Sequence, residues 1–134
     1  MAKKIDFLNG IGRRKSSIAR IRLYRGKGES TVNGMIASKY FEGAIEAKAL
    51  ARPFGATETS EKYYFTAKVS GGGKGGQLDA LVLALSRTLV KVAPEKNKLL
   101  LKKLNLLTRD SRVRQRRMVG MGGKSRRKRQ SPKR

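Results

Sequence analysis

Residues 63–92 read YYFTAKVSGGGKGGQLDALVLALSRTLVKV, and two periods meet inside them. Tyr63, Phe65, Ala67 and Val69 alternate with Tyr64, Thr66 and Lys68, the period of a half-buried strand. From Gly76 the period changes. Leu78, Leu81, Val82, Leu85, Leu89 and Val92 fall at offsets 0, 3, 4, 7, 11 and 14, one face of a helix ending near Val92, with Lys91 suitably placed in its last turn. Between them stands Gly71-Gly72-Gly73-Lys74-Gly75-Gly76, a strand-to-helix turn.

Working upstream, Ala19, Ile21 and Leu23 alternate with Arg20, Arg22 and Tyr24, which predicts a second strand. Arg25-Gly26-Lys27-Gly28 supplies a turn, Ser30 to Val32 a short third strand, and Asn33-Gly34 a further turn, so an N-terminal antiparallel meander is expected. Ile36, Tyr40, Phe41, Ala44, Ile45 and Leu50 suit one or two short helices, ended by Arg52-Pro53 because the residue before Pro disfavours helical geometry. Downstream, Pro94-Glu95 reads as a helix start, and Leu99 to Leu107 continues the apolar content. The fold class is α+β: a small single domain with a mainly antiparallel sheet backed by helices.

Charge bounds the function. The chain has 134 residues with 33 Lys or Arg against 9 Asp or Glu, a formal net charge of +24. A polyanion, by default nucleic acid, is the expected partner. The absence of Cys and His removes disulfides, thiol nucleophiles and the commonest general base and metal ligand. The nine acids are scattered, and only Glu42/Glu46 and Glu58/Glu61 lie close in sequence, a pattern of solvated surface more than of a carboxylate pair. No enzymatic activity, metal or cofactor is expected. The most apolar stretch, Ala80 to Leu85, is far short of the roughly 18 residues of a membrane span, and Lys3, Lys4 and Asp6 break up the N-terminus. Neither export nor anchoring is indicated, and a cytoplasmic location is expected.

The composition changes near Thr108. Residues 109–134 hold twelve Lys or Arg against the single acid Asp110, giving a head (1–108) of +13 and a tail (109–134) of +11. The tail's large apolar residues, Val113, Met118, Val119 and Met121, are too few to offset about 1–2 kcal/mol of backbone entropy per ordered residue, so alone it should be disordered. Such cationic arms commonly order along RNA.

The glycine turn fits G-x-G-x-x-G, follows a strand, opens a helix and has Glu95 about 20 residues on. A dinucleotide site needs a second parallel strand after the helix, whereas Pro94-Glu95 leads into another helix. No Gly-Lys-Ser or Gly-Lys-Thr completes a phosphate-binding loop either. Two readings remain: a plain connection, or exposed amides that receive a phosphate with Lys74. Gly10 to Ser17 places Arg13, Arg14 and Lys15 beside two hydroxyls, and Arg20 and Arg22 continue along the polar strand face, with no acid between residues 11 and 28. Bidentate guanidinium contacts to phosphates suit such a row better than a solvated face does.

Gly10 to Lys15 with Ile18-Ala19-Arg20, Val32-Asn33-Gly34, Tyr40-Phe41, Gly71-Gly72-Gly73 with Gly76-Gln77, and Leu107-Thr108-Arg109-Asp110 occur in the order of a known family. On these residues the chain resembles the universal small-subunit ribosomal protein nine family, bacterial type, over nearly its whole length. The resemblance implies a head with the left-handed βαβ-containing fold of the second domain of ribosomal protein five, packed on ribosomal RNA in the small-subunit head beside neighbouring head proteins. It also implies a tail threading through RNA toward the anticodon stem-loop of the peptidyl-site tRNA. Departures are Asn105 for a usual Gly, Leu78-Asp79 for small residues, and Ser131-Pro132 for an aromatic and Ser.

The expected ribosomal RNA contacts are Arg13, Arg14, Lys15, Arg20, Arg22, Lys74 and Arg109 in the head, and Arg112, Arg114, Arg116, Arg117, Lys124, Arg126, Arg127 and Lys128 in the tail. Arg129, Lys133 and Arg134 are expected at the tRNA. The alternative is a free cationic nucleic-acid-binding protein or RNA chaperone.

Overall fold

The computed structural model describes residues 6–122. Its strands are β1 (Phe7–Arg14), β2 (Ser17–Arg25), β3 (Thr31–Val32), β4 (Met35–Ile36) and β5 (Tyr63–Ser70). Its helices are α1 (Ala37–Tyr40), α2 (Ala44–Thr57), α3 (Lys74–Val92) and α4 (Pro94–Lys103). The strands form one five-stranded sheet in the order β1-β2-β5-β3-β4. It is antiparallel except for β3 and β5, which run parallel. The α+β class and the strand and helix of residues 63–92 are as the sequence predicts, with α3 beginning two residues earlier, at Lys74, inside the glycine run.

The meander is corrected. β5 and not β3 takes the edge of β2, because β5 offers eight residues in register from Ile18↔Ser70 to Arg25↔Tyr63, against a two-residue β3. β3 is held on the far side of β5, where Asn33 extends the ladder with its side chain: Nδ2 donates to the Val69 carbonyl at 2.9 Å, and Oδ1 accepts from the Val69 N–H at 2.8 Å. The Asn-Gly signal there marks a turn with Asn33 at φ 51°, joining β3 to β4.

The helix stop at Arg52-Pro53 is also corrected, since α2 runs on through Pro53 to Thr57. Proline inside a helix costs about 3 kcal/mol. Here the ring is fully buried, Phe54 stacks on Phe65 with centroids 6.3 Å apart, and the Thr57 hydroxyl bonds to the Pro53 carbonyl at 3.0 Å and to Thr59 at 2.7 Å. Burying apolar surface stabilises by roughly 25 cal/mol per Å², and the buried Pro53 ring with half-buried Phe54 offsets that cost.

β1 has no alternation strong enough to announce it, for a packing reason. Its inward positions run Leu8, Gly10, Gly12 and Arg14, and the two buried ones are glycines. A Cβ on Gly12 would fall on the Ala80 carbonyl, and one on Gly10 would meet the Thr88 hydroxyl, so the glycines let α3 lie directly on the strand. α3 is accordingly buried on two sides. Ala80, Ala84 and Thr88 meet β1, while Leu81, Leu85 and Leu89 of the expected apolar face fill the core with Ile21, Leu23, Val32 and Leu101. The Thr88 hydroxyl is satisfied by the Ala84 carbonyl at 2.8 Å, and buried Asn97 of α4 donates to the Leu89 carbonyl at 2.7 Å, fastening α4 to α3.

Candidate nucleic-acid interface

Among the described residues, α2, α3 and α4 pack on one side of the sheet and leave its opposite side open. Strand register sorts its residues into rows: Phe7, Tyr24 and Tyr64; Asn9, Arg22 and Thr66; Ile11, Arg20 and Lys68; Arg13, Ile18 and Ser70. Arg13, Arg20, Arg22 and Lys68 are all exposed. Arg20 and Lys68 stand directly opposite each other, and no strand residue of the sheet is an acid. Like charges across a ladder destabilise, and ordinary surfaces mix both signs. Such a face reaches its best electrostatic state only against an anion. A shallow trough crosses it, lined by Asn9, Ile18, Arg20, Arg22, Thr66 and Lys68 among others.

Arg14, next in sequence to Arg13, has the opposite orientation. Its side chain is only 12% exposed. Nη1 lies 2.9 Å from Asp110 Oδ1 and donates to the Asp110 and Arg112 carbonyls at 3.2 and 2.9 Å. Its Nε sits 3.5 Å from Asp79 Oδ2, an ion pair without the alignment of a hydrogen bond. Arg14 therefore joins the end of β1 to the root of the tail. Asp110 in turn takes the Arg112 guanidinium at 2.7 and 3.0 Å and the Arg112 N–H at 3.0 Å. Those bonds, and then the charges of Arg112 and Arg14, hold its carboxyl well below the usual carboxylate range, and Asp110 raises Arg112 reciprocally.

The other expected contacts are spread around this face. Lys15 is at the tip of the two-residue β1–β2 turn, at φ 52°. Lys74 opens α3, but its ammonium donates to the Tyr40 carbonyl at 2.9 Å and lies 3.6 Å from the Tyr40 ring centre. Tyr40 bonds Gln77 at 2.7 Å, and Gln77 bonds the Gly71 carbonyl at 3.1 Å, so this cluster braces the glycine turn. Gly71 and Gly72 have φ of 76° and 61° and pack against Ser16 and Ser17, which is reason enough for glycine there. No strand follows α3 among the described residues, and Glu95 is in the first turn of α4, so the dinucleotide reading fails on topology. Arg109 is exposed, as are Arg112, Arg114, Arg116 and Arg117 in a segment without helix or strand. Lys124, Arg126, Arg127, Lys128, Arg129, Lys133 and Arg134 lie outside the described residues.

Lys68 was not among the expected contacts. Its signal was its polar position in an alternating strand, but its place beside Arg20 follows only from the pairing of β5 with β2. Arg87 and Lys91 were missed likewise: from α3 they donate to the Ile11 and Asn9 carbonyls at 3.1 and 2.7 Å, closing the free edge of β1. Among the described residues there is no cluster of metal-ligating side chains, and no helix is long and apolar enough to cross a membrane.

Residues 12–134 match the model of the family described as ribosomal protein S9/S16. The chain is similar to small ribosomal subunit protein uS9 of Desulfotalea psychrophila, 42% identical over 88% of this chain and 90% of that protein. It is likewise similar to uS9 of Thermus thermophilus, 42% identical over 83% of this chain and 86% of that protein. The uS9 protein of Leifsonia xyli is 40% identical over 83% of this chain and 66% of its own length. With a family match over nearly its whole length and relatives well above 30% identity, the chain belongs to the ribosomal protein S9/S16 family, whose members are structural ribosomal proteins and not enzymes.

Proposed function

We propose that this protein is a structural constituent of the small ribosomal subunit that binds ribosomal RNA of the subunit head with its open sheet face and its tail. The observation that carries the reading is the acid-free row of exposed cations, Arg13, Arg20, Arg22 and Lys68, on one face of a chain from a ribosomal family. The mechanism is electrostatic: cations neutralise phosphates and release condensed counterions, and the fold sets where they stand. Lys15, Lys74 and Arg109 extend the contact from the rim. Arg14 acts from inside, aiming the tail by its hold on Asp110 and Arg112. Along the tail, Arg112, Arg114, Arg116, Arg117, Lys124, Arg126, Arg127 and Lys128 track RNA, and Arg129, Lys133 and Arg134 hold the peptidyl-site tRNA.

The test compares the full chain with a chain ending at Arg112, each binding a transcript of the small-subunit head RNA and a scrambled RNA across a salt series. Preference for the head RNA by both chains at roughly 0.2 M salt is the expected result. Equal binding to both RNAs, lost on truncation, would instead leave a nonspecific polycation and favour a free RNA chaperone.

A further inference from the structure

The open sheet face carries more than charge. At the end of the sheet away from the glycine turn, three aromatic rings from three adjacent strands stand in one row. Tyr24 stacks on Tyr64 with centroids 5.2 Å apart at 17°, and Phe7 meets Tyr24 at 5.8 Å and 55°. The backbone of Gly28 lies against the Tyr64 ring, so the row is backed at that end. At the other end Phe7 is 38% exposed, and the Arg22 guanidinium lies over its ring, 5.0 Å from the centre.

An exposed phenylalanine on an edge strand has no polar group to satisfy, and its ring rests on half-buried Tyr24, which is itself stacked on half-buried Tyr64. The same face presents Arg20 and Lys68 within two rows, about 13 Å along the strand. The nearest acids in sequence, Asp6, Glu29 and Glu61, stand outside the strands. A ligand that fits this combination offers a flat π-face and a negative backbone together. An acidic peptide matches the charges but not the ring, and a duplex has its bases already stacked. An unpaired nucleotide supplies both, since bases stack on aromatic rings and on guanidinium planes.

We propose that Phe7, backed through Tyr24 by Tyr64, and the Arg22 guanidinium lying over its ring together form a stacking platform for an unpaired base of single-stranded RNA whose phosphates run toward Arg20 and Lys68. This rests on the RNA-binding reading above and adds to it a preference for unpaired RNA at one end of the sheet.

The full chain is titrated with a labelled oligoadenylate single strand and with an RNA duplex of equal length, each across a salt series. Phe7→Leu, which keeps apolar area but removes the ring, is expected to weaken oligoadenylate binding roughly 5- to 100-fold. The salt slope and the duplex affinity stay unchanged, because stacking releases no counterions. A readout independent of any variant is tyrosine emission, since the chain has four Tyr and no Trp. Oligoadenylate is expected to quench it and the duplex to leave it nearly unchanged. Wild-type affinity in Phe7→Leu, an equal loss for duplex, or quenching that does not distinguish the two RNAs overturns the platform while leaving cation-driven binding intact. If the wild type binds neither RNA, the RNA-binding reading itself falls and the platform with it.

Discussion

Arg13 and Arg14 are neighbours of identical chemistry, and strand pleat alone sends one to the open face and the other inward to Asp110 and Asp79. The carboxyl of Asp110 is depressed by its bonds to Arg112 and by the charge of Arg14, which fixes the sign of its pH dependence. The stabilisation it provides is fully present above the unfolded value of about 3.9 and is lost as pH falls below that value toward the folded one. Carboxyl-carbon NMR should show Asp110 still ionised at pH 3, and hydrogen exchange at Arg112 should stay protected until more acid conditions; Asp110→Asn should remove both signatures. Asn105 takes the left-handed conformation at φ 55°, just past α4, where the family resemblance led us to expect glycine. Asparagine tolerates that region better than other side chains except glycine. Asn105→Ala should therefore lower stability by about 1 kcal/mol and Asn105→Gly should not, as read from denaturant midpoints.

At the scale of elements, the glycines of β1 decide how α3 lies on the sheet. A Cβ at Gly12 would meet backbone atoms of Ala80 and Ala84, which cannot swing away as a side-chain tip would. Gly12→Ala should destabilise the chain by about 3 kcal/mol, the upper end of ordinary overpacking, and Gly55→Ala should not, because a Cβ there meets nothing within 4 Å. Thermal melts of the two variants provide the comparison. The strand and helix of residues 63–92 were legible because each carries one regular apolar face and so leaves a period in the sequence. β1 was not, since the middle of its inward face is Gly10 and Gly12, which bury backbone and leave no apolar period. The run of α2 through Pro53 was hidden for a related reason: local chemistry argues for a stop, and tertiary burial of Pro53 and Phe54 overrides it.

For the whole molecule, the cations divide between a folded face and a tail, and the two should be separable by salt. Ten Lys or Arg follow Arg112, so a chain ending there should lose up to about 7 from the slope of log affinity against log salt if each reaches a phosphate of single-stranded RNA. A slope unchanged by truncation would show that the tail is not engaged. Removing Lys133 and Arg134 alone should speed release of peptidyl-site tRNA from ribosomes carrying this protein while leaving subunit assembly nearly intact. Off-rates of labelled tRNA measure it directly.

Composition and periodicity were sufficient for the α+β class and for the expectation of a polyanionic partner, because apolar repeats and net charge are properties of the chain that no folding changes. Which cations act together was decided only by the tertiary structure. Lys68 joins Arg20 through a pairing of strands some 48 residues apart, and Arg14 leaves the row to hold Asp110 and Arg112. Both depend on strand order and on which side of the pleat a residue faces, and in a short two-sided sheet those are settled by how much area each pairing buries against the helices.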